Sequence, residues 1–260
     1  MQSPLTTESY SVTKTWTLSE RLVTKKTYSR KALRLNLLLI STYLVVCPFP
    51  AHRQRKHRGR YRIQGSKYIS TSQAANIVEA VAFAKSIDLP LVAHLTVHWS
   101  GTVAFDDHDG TRFAKVREGL SKVLLRRGIP AAWAWCRECK AQTDIVHCHL
   151  LFHLPVDYRS GPKLAEMEAH LVRLVDRHGN GILGEFAVRL VIWPDPDGLY
   201  LIKGGGPEVW KQFPRIRRDW RTQQGIIYGK RCGVSQSLGP VARLRYRARP
   251  LCVCSDQSVS

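Results

Sequence analysis

Apolar positions along the chain fall into runs of two periods. Ser72–Ser86 repeats at helical spacing behind an N-capping serine, with Ile77, Val81 and Ala84 on one face. Leu89–Trp99 (LPLVAHLTVHW) alternates and is rich in β-branched residues, which predicts a strand. Thr111–Arg127 predicts an amphipathic helix stopped by Gly128 and Pro130. Ala131–Glu138 (AAWAWCRE) and Ile145–Leu154 (IVHCHLLFHL) read as two further strands, the second ended by Pro155. Pro162–His178 predicts a helix with Leu164, Met167, Leu171 and Leu174 on one face, closed by Gly179. Phe186–Trp193 (FAVRLVIW) is a strand; Asp195 or Asp197 then caps a short helix through Leu199–Lys203, which Gly204–Gly206 breaks. From the Leu89 strand onward the order is β-α-β-β-α-β-α. That order predicts an α+β fold: a central antiparallel sheet with a β-α-β-β-α-β core and helices mainly on one face.

Charge divides the 260 residues into three parts. Forty Lys and Arg stand against 20 Asp and Glu, a formal net charge of +20. Residues 1–62 hold 13 basic and two acidic residues, 63–200 hold 15 of each, and 201–260 hold 12 basic and three acidic. The excess therefore lies in the flanks. A neutral centre between basic flanks predicts a folded domain over 66–206, a weakly ordered basic extension over 1–65, and a basic, loop-rich extension over 207–260. The balance favours a polyanionic partner and disfavours an ordinary metabolic enzyme. The apolar run Leu35–Cys47 has 13 residues, including Asn36, Ser41 and Thr42, too few for a spanning helix of about 20. No membrane partner is expected. Seven cysteines without even spacing argue against a secreted disulfide framework and for the cytoplasm. Cys136 and Cys139 form one C-x-x-C, but in a strand they point to opposite faces, a poor arrangement for zinc.

His147-Cys148-His149 lies inside an apolar strand. A two-residue spacing puts both imidazoles on one face, roughly 6.6 Å apart at the backbone. Two nitrogens so placed can converge on one divalent ion. They equally suit two hydrogen-bonded polar residues of a buried strand. His153 shares the face but stands too far along to join the same centre. A third ligand would come from the neighbouring strand, and a hairpin through Cys139–Asp144 brings the Glu138 carboxylate beside the histidines. Tyr200 and Lys203 stand at i and i+3, neighbours on one helical face. A phenol with a pKa near 10 attacks poorly at neutral pH; a cation polarising a phosphate and a nearby ammonium would both help it. Further on, Lys211, Arg215, Arg217, Arg218 and Arg221 interleave with Trp210, Phe213 and Trp220, a pattern suited to phosphates and stacked bases of single-stranded nucleic acid. Arg243, Arg245, Arg247 and Arg249 alternate as on one face of a strand.

The HCHLLFHLP segment followed by YLIK resembles the HUH endonucleases, above all the single-tyrosine rolling-circle replication initiators of plasmids and filamentous phages. The resemblance spans residues 90–240. His94-Leu95-Thr96-Val97-His98 falls at the family's first motif, and Gly229–Gly233 (GKRCG) resembles its C-terminal basic glycine motif. The resemblance implies that His147 and His149, with Glu138 as third ligand, hold Mg²⁺ or Mn²⁺. It implies that Tyr200 attacks single-stranded or hairpin origin DNA, leaving a 5′-phosphotyrosine and a 3′-OH primer, and that Lys203 neutralises charge. Thr96, His98, Lys230 and Arg231 would then meet DNA. Cys148 departs from the usual aliphatic middle residue, and one tyrosine stands where some members have two. No phosphate-binding loop follows Gly204–Gly206, so unwinding and synthesis would rely on a host helicase and polymerase. A transposase or relaxase of the same chemistry, or a non-catalytic nucleic-acid-binding protein, are the alternatives.

Overall fold

The computed structural model describes residues 64–142 and 145–248. The basic run before Gln64, the apolar run Leu35–Cys47 and Arg249 lie outside them. Contacts place the described residues in one compact unit.

Strand β1 (Gly65–Ser66) precedes helix α1 (Thr71–Ser86). The helix starts one residue earlier than its apolar pattern indicates. Ser70 and Gln73 make a capping box: the Gln73 N–H donates to Ser70 Oγ (3.3 Å) and the Ser70 N–H to Gln73 Oε1 (3.0 Å). Strand β2 (Ala93–His98), helix α2 (Thr111–Arg126), strands β3 (Trp133–Cys139) and β4 (Val146–Phe152), helix α3 (Gly161–Gly179) and strand β5 (Val188–Ile192) follow. The short helix after β5 is a 3₁₀ turn over Leu199–Ile202, and its Leu199 N–H donates to Asp197 Oδ1 at 3.0 Å. Helix α3 runs through Gly179, and Asn180, at φ 60°, makes the turn. Gly179 serves packing instead: a Cβ there would stand 2.8 Å from the Thr102 side chain.

Helix α4 (Pro207–Gln212), strands β6 (Ile227–Tyr228) and β7 (Cys232–Val234), and helix α5 (Pro240–Arg247) complete the order. Five strands form one antiparallel sheet in the order β5-β2-β4-β3-β7, and β1 pairs with β6. The sheet thus draws its last strand from beyond residue 206, where an extension was expected. Arg243, Arg245 and Arg247 are helical, because Gly239–Pro240 supplies an N-cap and a proline at the first helical position. Arg243 is buried there and binds Leu238 O, Asn76 Oδ1 and Glu79 Oε2.

Period-two alternation divides the core between the sheet's faces. Leu95, Val97, Trp135, Cys139, Val146, Cys148, Leu150 and Phe152 pack against α2 and α3. Ala134, Cys136, Leu151 and Cys232 face α1 together with Leu199, Leu201 and Ile202. Cys136 and Cys139 therefore belong to opposite cores, as their spacing predicts. Helices α2 and α3 share one face; α1 covers only part of the other. What α1 leaves uncovered is the floor of a cleft.

Candidate metal centre and nucleophile cleft

Register builds the cleft floor. Strand β4 pairs with β3 so that Glu138 lies opposite His147 and Cys136 opposite His149; it pairs with β2 so that Thr96 lies opposite His149 and His98 opposite His147. All these side chains share one face. The hairpin expected between Glu138 and His147 is present, and its register delivers the carboxylate.

Glu138 Oε2 stands 3.1 Å from His147 Nε2 and 3.6 Å from His149 Nε2. These three residues form the group among the described residues whose ligand atoms can hold one ion: two imidazole nitrogens and a carboxylate oxygen, all within 4.8 Å of one another. The donor set suits a borderline divalent metal, since imidazole and carboxylate together accept ions from Mn²⁺ to Zn²⁺. A cationic group already sits there: Lys203 Nζ is 3.2 Å from Glu138 Oε2 and 3.4 Å from His149 Nε2.

Outer contacts orient the ligands. His149 Nδ1 lies 3.2 Å from both His94 Nε2 and Thr96 Oγ1, so the far nitrogen of the ring is engaged while Nε2 faces Glu138. His98 stacks on His147 at 5.4 Å between centroids. On the back of the strand, Cys148 points into the core and accepts from the Trp99 indole N–H at 3.4 Å. A small thiol leaves room for that buried indole.

Electrostatics keep the centre ready for a cation. Burial alone would raise Glu138, but the His149, His147 and Lys203 partners outweigh it and hold the carboxyl well below its usual range. Burial drives His149 down to about 4, against the pull of Glu138. Burial and the neighbouring His149 take His94 to about 3; burial and His147 take His98 to about 4. At neutral pH these three rings are uncharged, which leaves His149 in the form that can bind metal and its neighbours without repelling a cation. Lys203 is desolvated, yet Glu138 and Tyr200 raise it above its ordinary value, so it stays an ammonium.

Tyr200 enters from the turn after β5. Its ring centroid is 4.9 Å from that of His149 and 5.1 Å from that of His94, and Lys203 Nζ lies 3.8 Å from the ring centroid. Trp193 and Trp220 meet it edge-on at 5.1 and 5.2 Å. The cleft, about 440 Å³, is walled by Arg189, Val191 and Trp193 on one side and by Lys140, Asp219, Trp220, Thr222 and Gln224 on the other. Tyr200, Lys203, Glu138, His147 and His149 thus come together, with Thr96 and His98 beside them.

The basic residues divide. Lys211, Arg215, Arg217, Arg218 and Lys230 are exposed. Surface pairs hold three of them: Lys211 with Glu208 (3.0 Å), Arg215 with Asp197 (3.3 Å) and Arg217 with Asp219 (2.8 Å). Such solvent-screened pairs are weak, so phosphates can displace the acids. Arg221 is half-buried and pins its own loop through Pro214 O and Ile216 O. Arg231 departs from expectation. It is 1% exposed and donates to Ser66 O (2.9 Å) and Gly225 O (2.7 Å), fastening β1 to the chain before β6. Nη2 makes both of those bonds and Nε donates to Ser66 Oγ (3.3 Å), and at this depth the guanidinium is closed off from a phosphate in solvent.

Three participants were not singled out as site residues from the sequence. His94 was legible, since it shares the period of Thr96 and His98. Trp193 ends a strand whose alternation points it to the cleft. Gln224 sits in an irregular segment that offers no pattern. Comparison with protein-family models, curated proteins and solved structures finds no match for the chain.

Proposed function

We propose that this chain is a metal-dependent endonuclease that nicks and rejoins single-stranded DNA through a phosphotyrosine, the chemistry of a rolling-circle replication initiator. One observation carries the reading: a Glu-His-His cluster, a tyrosine and a lysine line a single cleft. Mg²⁺ or Mn²⁺ held by Glu138, His147 and His149 would supply Lewis-acid polarisation of the scissile phosphate.

The chain's own residues do the rest. The Tyr200 phenol gives its proton to solvent, and its oxygen attacks phosphorus. The P–O3′ bond breaks, the 3′ oxygen takes a proton and leaves as a 3′-OH, and the 5′ phosphate stays on Tyr200. Lys203, beside the ring, offsets the charge that develops on the phenolate and the phosphate. Thr96 and His94 hold the His149 ring. Trp193 and Trp220 offer faces for bases, and Lys211, Arg215, Arg217, Arg218 and Lys230 offer cations for the strand on either side. The reverse step, attack of a 3′-OH on the phosphotyrosine, rejoins the strand.

The test incubates the full chain with Mn²⁺ and a broad panel of single-stranded and hairpin DNAs, then resolves protein–DNA adducts on denaturing gels. Wild type forms an adduct and Tyr200→Phe forms none. If folded wild type yields no adduct on any substrate, the endonuclease reading falls and a basic nucleic-acid-binding protein remains.

A further inference from the structure

Two groups beside the cluster, one half-buried and one buried, are individually odd and jointly informative. The first is the Lys203 ammonium, 3.2 Å from Glu138 Oε2 and 3.4 Å from His149 Nε2. It takes two of the three ligand atoms that a divalent ion would need. Ammonium and metal cannot share that spot: two cations on one carboxylate repel, and the lone pair of His149 serves only one of them. A metal arriving there must displace Lys203.

The second is Gln224, 2% exposed, whose Oε1 is buried with no hydrogen-bond partner. An orphaned buried carbonyl is destabilising, since it has lost water without gaining a donor. Its orientation is fixed from the other end, because Nε2 donates to Thr222 Oγ1 (3.2 Å) and faces Thr222 O (3.4 Å). Exchanging O and N would set two carbonyls against each other. Gln224 pairs with Lys140 across from the end of β3, on the Glu138 side of the cleft. Gly204, the residue after Lys203, marks a gap between the two side chains: a Cβ there would stand 3.4 Å from Gln224 Oε1 and 3.7 Å from Glu138 Cγ. The acceptor without a donor therefore borders the gap beside the cation that a metal would evict.

We infer that Gln224 is a positioning residue, the second seat of the Lys203 ammonium, which moves from Glu138 to the Gln224 carbonyl when a divalent cation enters. The inference rests on the metal reading above. It makes metal entry a cation exchange, and leaves the ammonium next to the centre and the tyrosine instead of in solvent. No bond is made or broken; one cation replaces another on Glu138.

The experiment measures Mn²⁺ affinity of the purified full chain by titration calorimetry and by loss of the free-ion electron spin resonance signal, with no DNA present. Four proteins form a cycle: wild type, Lys203→Met, Gln224→Leu and the double variant. Lys203→Met binds Mn²⁺ about tenfold more tightly than wild type, since no ammonium competes. Gln224→Leu binds several-fold more weakly, since the evicted ammonium has no seat. In the double variant the Gln224 effect vanishes, and the affinity equals that of Lys203→Met. A merely structural Gln224 would weaken binding equally in both backgrounds, and that result overturns the inference. So does a Lys203→Met affinity no tighter than wild type. If neither wild type nor Lys203→Met binds Mn²⁺, the metal reading itself fails and takes the inference with it.

Discussion

Glu138 shows how much one residue's neighbours decide. The same carboxylate in an apolar strand would be driven neutral by burial; here two imidazoles and an ammonium keep it charged. Glu138→Gln removes that charge while keeping the shape. Mn²⁺ affinity in titration calorimetry should fall at least 100-fold, and the fold should survive. His147→Ala should lose affinity similarly. Thr96→Val should cost less, about tenfold, because it removes one of the two contacts on His149 Nδ1 and leaves His94 in place. Residue chemistry was legible at His147, His149, Glu138, Tyr200 and Lys203, because alternation and i,i+3 spacing fix which side chains meet. It was not legible at Arg231, where a basic run on paper is a buried clasp in three dimensions.

Elements follow local rules where tertiary contacts agree with them. The three helices α1, α2 and α3 and the four strands β2–β5 appear where periodicity places them, with ends moved by up to four residues. The long strand expected over Leu89–Trp99 shortens to six residues because the Val92 N–H turns back to Pro90 O (3.0 Å) ahead of the ladder and Trp99 begins a 3₁₀ turn. The alternation of Arg243, Arg245 and Arg247 suggests a strand face yet the segment is helical, because alternation in a short basic stretch has no apolar partner to confirm its period. At the entry to α2, Asp107 accepts from the N–H groups of Arg112 (2.9 Å) and Phe113 (3.0 Å), and Arg137 donates to its carbonyl. Asp107→Ala should lower stability by about 1–2 kcal/mol in urea unfolding. Gly110, at φ 77°, lies where a Cβ would come 2.6 Å from Arg137 Nη1. Gly110→Ala should be as harmful as the loss of Asp107 for that reason.

For the whole molecule, pH and salt give the sharpest expectations. His94, His98 and His149 are held down to about 3, 4 and 4, so between pH 6.5 and 4 the unfolded chain takes up protons that the fold refuses. Asp107 opposes them: burial raises it to about 6, so it keeps a proton that the unfolded chain has shed. The three histidines outweigh the one carboxyl, and His153, His170 and His178, also lowered by burial, add to them, so unfolding takes up protons in this range. Metal-free protein should therefore lose stability steadily as pH falls from 6.5 to 4, and denaturant midpoints across that range would show it. A rise instead would mean that the histidines are charged in the fold. The charge of +20 predicts that affinity for single-stranded DNA falls by at least tenfold between 50 and 200 mM salt in fluorescence anisotropy. Arg218→Ala and Lys230→Ala should each flatten that salt slope, and Arg231→Ala should lower stability instead. Among the described residues no helix is long and apolar enough to cross a membrane.

Strand β7 pairs with β3 from about a hundred positions downstream. During synthesis the chain is therefore made in an order unlike the order in which it packs. Glu138 and both histidines leave the ribosome well before Trp220, Gln224 and the closing strand. Until then β3 has an open edge, a template for a neighbouring nascent chain. Such long-range pairing folds slowly. A polypeptide stopped near residue 206 should carry Glu138, His147, His149 and Tyr200 yet aggregate, because the strand that seals its sheet has not been made.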